Sequence, residues 1–245
     1  MKLQNKVALV TGASRGIGAA VARRLAADGA TVALIYKGQA ATAEEVAAGI
    51  RRAGAQAATF QADVADERSV NAMIKEVVEK FGRIDILVNM AGIFEAAPVG
   101  QISREMFDNE FSTHAWSVIA TTQAALPYFP ASGGYIVNVS TNLVHDPGNG
   151  TAVYSAAKAA VEVLTRGFAR ELGSRGIRVN AVAPAITRTD MTAGIPKDHL
   201  EAETKLTPLG RLAEPEDIAE VVAFLASSDS RWITGRTILT DGGRV

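Results

Sequence analysis

The amino-acid sequence predicts a single-domain, doubly wound α/β fold over residues 1–245, with a seven-stranded parallel sheet and helices on both faces. Short runs rich in β-branched residues alternate along the whole chain with longer, alanine-rich segments of helical spacing. Several strand candidates are continuously apolar, as expected where helices cover both faces of a sheet. No linker interrupts this alternation, and 245 residues with 48% apolar composition suit one compact domain.

Each predicted strand or helix ends where the spacing of its apolar residues changes, or at a residue such as glycine or proline that ends regular structure. The predicted strands are 6–11, 31–36, 57–64, 84–89, 134–140, 177–184 and 236–242, and the predicted helices are 17–28, 42–53, 66–81, 103–126, 152–173 and 215–227. The helix signals are N-caps at Asp66 and Ser103, Pro215 in a first turn, and glycines after helix ends at Gly29, Gly54, Gly82 and Gly176. Residues 185–213 show no clear periodicity and are predicted to form a substrate lid.

Composition and charge exclude several classes of function. The 25 basic and 26 acidic residues form no long single-sign run, so neither nucleic acid nor an anionic membrane is an expected partner. No run of about 18 apolar residues occurs, and the absence of cysteine fits a reduced, cytoplasmic protein. His114, His145 and His199 lie too far apart for a metal-ligand motif, so no metal is expected.

A glycine-rich turn joins the first strand to the first helix. The segment Thr11–Gly18 reads TGASRGIG, with glycines at positions 12, 16 and 18. Glycines let a pyrophosphate approach backbone N–H groups at a helix N-terminus, where the helix dipole favours an anion. An ordinary strand-to-helix turn is the alternative, but its place in the first βαβ unit favours a dinucleotide site.

The end of the second strand indicates which dinucleotide binds. An NAD site places an acidic residue there to accept the ribose hydroxyls, whereas this chain has Tyr36 and Lys37. Together with Arg15 in the glycine-rich turn, Lys37 offers two cations to a 2′-phosphate, which favours NADP(H). The alternative is that Lys37 is a solvated loop residue.

Tyr154 and Lys158 lie four residues apart in a strongly helical segment, and therefore on one helix face. A phenol has a reference pKa of about 10 and exchanges protons poorly near pH 7 unless a nearby ammonium stabilises its phenolate. The pair is therefore a candidate acid catalyst, with a purely structural i,i+4 contact as the alternative.

With these motifs the chain resembles the short-chain dehydrogenase/reductase family, and within it the 3-oxoacyl-acyl-carrier-protein reductase type. The matching segments are 11–18, Asp63-Val64, Asn89 with Ala91-Gly92, Tyr154 and Lys158, 178–180 with Pro184, 189–191, 208–211, 233–235 and 241–243. They span essentially the whole chain in the family's order. The resemblance implies a Rossmann-type fold and a homotetramer.

The resemblance also implies residue roles. Tyr154 would be the general acid toward a carbonyl, while Lys158 lowers the pKa of Tyr154 and holds the nicotinamide ribose. Asp63 would contact the adenine, Asn89 the ribose side, and Thr187 and Thr189 the nicotinamide carboxamide and phosphate region. The complete predicted cofactor set is Gly12, Ser14, Arg15, Gly16, Ile17, Gly18, Tyr36, Lys37, Asp63, Val64, Asn89, Ala91, Gly92, Tyr154, Lys158, Pro184, Thr187 and Thr189.

Several positions depart from the family pattern. Met90 replaces an asparagine and Ala185 a glycine, and the serine that orients the substrate carbonyl is replaced by Thr141, with Ser140 as the second choice. His114 occupies the position of the family's catalytic asparagine. The preferred interpretation is that His114 is neutral and makes the hydrogen bonds that the asparagine would make. The alternative is that His114 joins the proton path to Lys158.

The leading functional hypothesis is an NADPH-dependent carbonyl reductase acting on a ketone or a 3-oxoacyl thioester. The alternatives are an NAD-dependent alcohol dehydrogenase, an imine reductase, or a non-catalytic NADPH-binding sensor. The helix that carries Tyr154 has a second, small-residue stripe of Ala156, Ala159, Val163 and Gly167, with Ser155, Glu162, Thr165 and Arg166 as polar interruptions. A helix apolar nearly all round predicts a partner subunit, unless the lid or the fourth helix covers the stripe within one chain.

Overall fold

A computed structural model describes residues 1–245, and its seven strands form one parallel sheet in the order β3-β2-β1-β4-β5-β6-β7. The strands are β1 Val7–Thr11, β2 Thr31–Tyr36, β3 Ala57–Gln61, β4 Ile86–Asn89, β5 Gly134–Val139, β6 Ile177–Pro184 and β7 Thr237–Thr240. The predicted fold class is therefore confirmed, and every predicted strand is present, several of them shorter than expected.

Eight α-helices connect the strands. They are α1 Gly16–Ala27, α2 Ala40–Arg52, α3 Glu67–Phe81, α4 Arg104–Phe111, α5 Ser117–Ala125, α6 Ala152–Leu172, α7 Lys197–Leu206 and α8 Pro215–Leu225. The predicted helix 103–126 is divided into α4 and α5 by a π-helical turn over Ser112–Trp116, which we call the π turn. None of the helices is both long and apolar enough to cross a bilayer.

The core forms two layers, one on each face of the sheet. Because side chains alternate along a strand, Ala8 and Val10 of β1 pack with α1, α2 and α8, whereas Leu9 faces α3, α5 and α6. β1 is a central strand, with Leu9 paired to Ala33 on one side and to Leu87 on the other. Burial on both faces explains the continuous apolar runs in the sequence.

The predicted helix caps are confirmed. The Asp66 carboxylate accepts the backbone N–H groups of Arg68 and Ser69 at the start of α3, and the Ser103 hydroxyl accepts that of Met106. Pro215 is the first residue of α8, where the missing N–H costs no helical hydrogen bond. The starts of these three helices could therefore be predicted from the sequence, because capping depends on residues within three positions of the helix start.

The 185–213 segment is not wholly irregular, which corrects the sequence interpretation. It contains α7, a helix without a single buried residue. A helix that buries no face needs no apolar periodicity, so its sequence lacks the signal on which the prediction relied. The Arg244 side chain, close to the chain's C-terminus, anchors α7 by a 2.9 Å ion pair with Glu203.

The carboxyl ends of the strands meet at one edge of the sheet, which we call the carboxyl edge. From β1 the chain proceeds to β2 and β3 on one side of the sheet, and from β4 it proceeds to β5, β6 and β7 on the other side. The direction of winding therefore reverses between β1 and β4. A crevice opens at such a switch point, and ligands of doubly wound sheets bind there. The predicted site residues Asn89 and Pro184 are each the last residue of a strand at this edge, and Thr11, at the start of the glycine-rich turn, is the last residue of β1.

Candidate active site at the carboxyl edge

The glycine-rich turn requires glycine for space and for backbone conformation. Gly12 and Gly16 have φ of 65° and 53°, which disfavour a side chain. A Cβ on Gly12 would lie 2.9 Å from the Ala91 Cα, and one on Gly18 would overlap the carbonyl oxygen of Gly12. The turn thus brings β1, the start of α1 and the segment after β4 into close contact.

The N-terminus of α1 is suited to an anion. Its N-cap residue, Arg15, makes no side-chain cap, and no acidic residue lies in the first helical turn. The first backbone N–H groups therefore lack a capping side chain, and the helix dipole favours negative charge there. Thr189 lies against this turn, since a Cβ on Gly16 would be 3.2 Å from the Thr189 Cγ2.

Both predicted phosphate-binding cations have acidic partners. Lys37 Nζ lies 2.7 Å from Asp63 Oδ2, and Arg15 Nη1 lies 3.5 Å from Asp190 Oδ2. Although burial acts in the opposite direction, the Lys37 hydrogen bond and the backbone N–H of Ala65 lower the pKa of Asp63. The expectation of cations facing a region without carboxylates is wrong, because Asp63 and Asp190 reach this region from later elements.

The segment after β4 is fixed by the last residue of β1. The Thr11 hydroxyl accepts the backbone N–H groups of Met90, at 2.9 Å, and of Ala91, at 3.0 Å. Met90 takes part in this contact through its backbone N–H, so the contact does not depend on the Met90 side chain. Val64, also predicted at the cofactor, is buried in the core.

Asn89 serves the sheet rather than the crevice. Its Nδ2 donates to Asn138 Oδ1, and its Oδ1 accepts the hydroxyl of Thr121, both at 2.8 Å. Asn138 in turn donates to the Thr165 hydroxyl at 2.9 Å. This buried chain occupies the Asn89 side chain, so the implied ribose contact would have to use other atoms of the residue.

The segment after β6 is braced by threonines. Thr187 pairs with Ala213 in an isolated β-bridge, and its hydroxyl donates to the Ala185 carbonyl at 3.0 Å. The Thr192 hydroxyl lies 2.8 Å from the Thr187 carbonyl and 3.0 Å from that of Thr189. Thr189 is thereby held against the glycine-rich turn, with Thr187 two residues before it, and their contacts with the cofactor stay predictions.

Tyr154 and Lys158 lie on one face of α6, facing the crevice. Lys158 Nζ donates to the Val139 carbonyl at the end of β5, at 2.8 Å, and is 5.9 Å from the centroid of the Tyr154 ring. The rings of Phe94 and His114 meet the tyrosine edge-to-face, at centroid distances of 5.0 and 5.4 Å. The phenol is therefore held in a defined orientation beside the ammonium.

Burial has the largest effect on the pKa values of Tyr154 and Lys158. It raises the pKa of Tyr154 to about 12, with a further increase from Glu110 and an opposing hydrogen bond from Thr141. It lowers the pKa of Lys158 to about 8. Burial is the largest influence on the Tyr154 phenol, so the expected lowering of its pKa by Lys158 stays a prediction.

The two candidate hydroxyls at the end of β5 have different surroundings. The Ser140 hydroxyl donates to Glu162 Oε1 at 2.8 Å, within the packing of α6. The Thr141 hydroxyl instead donates to the Pro184 carbonyl at 3.5 Å, accepts the Leu143 backbone N–H at 3.3 Å, and lowers the pKa of the Tyr154 phenol. Adjacent residues of an extended chain point to opposite sides, so only one of the two can face the crevice. The geometry favours Thr141.

His114 lies in the π turn, and its side chain is 1% exposed. Its Nε2 is hydrogen-bonded to the Ile93 carbonyl at 3.0 Å and lies 3.0 Å from Glu110 Oε2. Burial, reinforced by the Lys158 charge, lowers its pKa to about 4. The ring is therefore neutral near pH 7, which favours the interpretation that His114 replaces the hydrogen bonds of an asparagine.

The outer face of α6 is uncovered. Val163 is 58% exposed and Ala156 is exposed, so neither the lid nor the fourth helix covers the small-residue stripe. Of the predicted polar interruptions, only Arg166 is exposed, whereas Ser155, Glu162 and Thr165 are buried. Glu162 accepts the Ser140 hydroxyl and Thr165 accepts the Asn138 amide, both from the sheet side, whereas Ser155 donates to the Thr151 hydroxyl at the start of the helix. The polarity of these three residues is therefore no guide to the solvent side.

Sequence reasoning missed Glu110, which is 0% exposed beside His114 and Tyr154. An acidic residue in a helix normally indicates a solvated face. The available signal was its position four residues before His114, which places both on one side of the helix.

The carboxyl edge therefore joins an anion-binding turn to a phenol, an ammonium and the Thr141 hydroxyl. The glycine-rich turn and the start of α1 suit the pyrophosphate of a dinucleotide. Tyr154 offers a protonated oxygen, Lys158 a positive charge and Thr141 a second hydrogen bond, all within one crevice. This arrangement can bind a carbonyl oxygen and deliver a proton to it.

Comparisons with known proteins agree along the whole chain. A family model described as enoyl-(acyl carrier protein) reductase matches residues 12–244. A 3-oxoacyl-(acyl-carrier-protein) reductase from Staphylococcus aureus is 44% identical over 240 residues, covering 97% of each chain. Meso-2,3-butanediol dehydrogenase from Serratia marcescens is 40% identical over 243 residues, covering 99% of this chain and 96% of the relative.

A solved structure is similar over the same length. It is a short-chain dehydrogenase from Burkholderia cenocepacia in complex with NADP, with 42% sequence identity and a TM-score of 0.94. The match covers 100% of this chain and 99% of the other. Fold and sequence similarity therefore extend together through both the glycine-rich turn and the region around Tyr154.

Proposed function

This chain belongs to the short-chain dehydrogenase/reductase family, and on that premise we propose that it is an NADPH-dependent reductase that converts a carbonyl to an alcohol. The observation that carries the proposal is the position of Tyr154 and Lys158, on one helix face at the carboxyl edge, with Thr141 reaching the phenol. Oxidoreductases among its relatives act on the same pair of functional groups, a carbonyl and an alcohol.

The glycine-rich turn and its surroundings fit the proposed cofactor. Its glycines leave no space for side chains where strands and helix converge, and the start of α1 lacks a competing acid. The solved relative from Burkholderia cenocepacia binds NADP. Arg15 and Lys37 would bind the 2′-phosphate by exchanging their carboxylate partners for it, and Thr187 and Thr189 would contact the nicotinamide end.

The proposed chemistry divides between cofactor and chain. The bound nicotinamide supplies a hydride to the carbonyl carbon. Tyr154, protonated at neutral pH, donates its proton to the carbonyl oxygen, and the Lys158 ammonium stabilises the phenolate that remains. The Thr141 hydroxyl hydrogen-bonds the same oxygen and so holds the carbonyl in line with the Tyr154 proton.

A 3-oxoacyl thioester is the first candidate substrate, since the Staphylococcus aureus relative has that name. The second is a small ketone or its alcohol, which the similarity to a butanediol dehydrogenase supports and which admits oxidation with NAD. Imine reduction would use the same proton donor. A non-catalytic NADPH sensor would have no chemical need for the Tyr154–Lys158 pair.

One experiment separates these functions. Purified protein is mixed with NADPH or NADH and a panel of 3-oxoacyl thioesters, acetoin-like ketones and cyclic imines, and oxidation is followed at 340 nm. We expect turnover of at least one carbonyl class with NADPH preferred. Tight NADPH binding without turnover of any panel member would favour the sensor.

We further propose that the outer face of α6 binds a second subunit. A stripe of small residues allows two helices to approach closely, and the exposed Val163 would be buried by a symmetry-related copy. A homotetramer and a cytoplasmic location remain predictions, as does closure of the 185–213 lid over the substrate. Light scattering at micromolar concentration should give an oligomeric mass that Val163→Glu reduces, whereas a monomeric mass for the unmodified protein would refute the interface.

A further inference from the structure

Glu110 is a fully buried carboxyl group in the wall of the catalytic centre, and the proposed chemistry does not use it. One oxygen, Oε1, accepts the backbone N–H of Glu95 at 2.7 Å. The other, Oε2, makes no hydrogen bond and lies 3.0 Å from Nε2 of His114. Burying a carboxylate is costly unless charge or hydrogen bonds compensate it, so its position calls for a functional reason.

The His114 ring is oriented by its neighbours. Its Nε2 faces two acceptors, the Ile93 carbonyl and the Glu110 carboxylate, each at 3.0 Å, so the single proton of the neutral ring lies on Nε2. Nδ1 then carries a lone pair, and it is buried without a partner. A Cβ on Gly92 would lie 3.4 Å from Nδ1 and 3.8 Å from Lys158 Nζ, so both atoms border the space beside Gly92.

Lys158 is buried without a carboxylate in contact; its ammonium donates to the Val139 carbonyl at 2.8 Å. The titratable groups around it are Tyr154 from α6, His114 from the π turn, and Glu110 from α4, whose carboxyl lies on the Nε2 side of the His114 ring, 3.0 Å from Nε2. Among them Glu110 is the only carboxyl group. Burial lowers the pKa of Lys158 to about 8, and the Glu110 charge acts against that decrease.

On the basis of the proposed function, we propose that Glu110 is a positioning residue whose buried carboxylate, held against His114, keeps the Lys158 ammonium charged while Tyr154 donates its proton. A neutral Lys158 would leave the developing phenolate without its counter-charge. The negative charge of Glu110 also disfavours a premature phenolate, which keeps Tyr154 in its acid form. Glu110 thus supports the proton donor through its charge without contacting substrate.

The first test compares Glu110→Gln with Asp108→Asn. Asp108 is on the same helix but half-exposed and paired with Arg104, so its replacement removes an equal charge away from the centre. We expect Glu110→Gln to shift the alkaline decline of kcat/KM downward by up to about one pH unit, because the Glu110 charge acts on Lys158 across the His114 ring and an opposite charge within ~4–6 Å moves a pKa by 1–3 units. Asp108→Asn should leave the decline in place. A lower rate at every pH with an unmoved decline would indicate a structural role only and overturn the proposal.

The second test needs no turnover and therefore separates this proposal from the proposed function. The chain has 8 lysines, and with ¹³Cε-labelled lysine the Lys158 signal is the one lost in Lys158→Met. Its titration midpoint should fall by about one unit in Glu110→Gln and stay constant in Asp108→Asn. An unchanged midpoint refutes the role of Glu110 whether or not the protein reduces carbonyls.

If Glu110→Gln does not fold, Glu110→Leu removes the same charge and fills the site with an apolar side chain of similar size, which buried sites often tolerate. The same lowered midpoint is expected, and a midpoint equal to that of the unmodified protein overturns the proposal. Absence of turnover in the unmodified protein would refute the proposed function alone.

Discussion

The nucleotide half of the crevice, from β1 through α3, and the chemical half, from β4 through α6, follow different rules. In the nucleotide half, glycines and backbone N–H groups form the site, and a Cβ at Gly12 or Gly18 would collide with backbone. In the chemical half, side chains form it, and Met90, His114 and Thr141 all depart from the family pattern. Backbone sites tolerate little substitution, whereas side-chain sites tolerate changes that preserve a hydrogen bond.

His114 and Thr141 illustrate this tolerance. His114 donates to the Ile93 carbonyl from within the π turn, as an amide side chain could. Thr141 supplies a hydroxyl as serine would. What matters in the chemical half is therefore the position of each polar atom rather than the type of residue that carries it. Substitutions there should show which of these polar groups can be replaced.

Tyr154→Phe should have the largest effect on the chemical half. Removing the proton donor should lower kcat by ~10²–10⁴-fold, the usual contribution of a general acid, with little change in NADPH affinity. Tyr128→Phe is the matched control, because Tyr128 lies on the opposite edge of the sheet, where its carbonyl accepts the N–H of Ile84. Steady-state kinetics would contradict the assignment if Tyr154→Phe kept its kcat.

Arg15→Ala with Lys37→Ala should produce the largest effect in the nucleotide half. Each cation contributes a charge-assisted contact to the 2′-phosphate, so the Kd for NADPH should rise by about tenfold per residue while that for NADH changes little. Arg23→Ala, on an exposed face of α1, is the control. Equal changes for the two cofactors would show that these residues do not select NADPH.

Gly18→Ala and Gly49→Ala form a pair of helix substitutions with opposite expected signs. The new methyl of Gly18→Ala would overlap the Gly12 carbonyl and should cost ~1–3 kcal/mol of unfolding free energy, together with weaker NADPH binding. Gly49 lies in α2, where a new Cβ would meet only the flexible Arg52 side chain at 3.9 Å, and alanine should stabilise that helix by ~0.5–1 kcal/mol. Denaturant unfolding of both variants measures the difference, and a neutral Gly18→Ala would remove the steric argument for the turn.

His114→Asn should have the smallest effect on catalysis. Asparagine can keep the hydrogen bond to Ile93, so we expect kcat to remain within about fivefold of the unmodified enzyme. The pH profile of activity should be unchanged between pH 6 and 7, where a catalytic histidine would titrate. A large loss of activity would instead favour a proton-relay role for the ring.

The variant His114→Asn should also change how the free energy of unfolding depends on pH. The pKa of His114 is about 4 in the folded protein against 6.5 when unfolded, so below pH 6.5 the unfolded chain binds a proton that the folded chain does not. Stability should fall as pH drops from 6.5 to 4, by up to ~3 kcal/mol from this group. His114→Asn should lose that part of the pH dependence in denaturant unfolding between pH 4.5 and 7, and an unaltered slope would contradict the neutral buried ring.

The sequence by itself determined the alternation of strands and helices, the caps at Asp66 and Ser103, and the places of the glycine-rich turn and the Tyr154–Lys158 pair. These features depend on local periodicity and on neighbours within four residues, which a sequence displays directly. The sequence also predicted a doubly wound parallel sheet, whereas the order of its strands came from the structure.

Only the tertiary structure decided the contacts between distant segments. It brought Glu110 against His114 and Tyr154, placed the Asp63 carboxylate on Lys37, and turned Thr141 rather than Ser140 toward the phenol. The sequence shows that adjacent strand residues face opposite ways, but which way depends on how β5 packs between its neighbours. The same reason makes the proton affinities of Tyr154 and Lys158 a property of the folded chain, since burial governs both and burial exists only after packing.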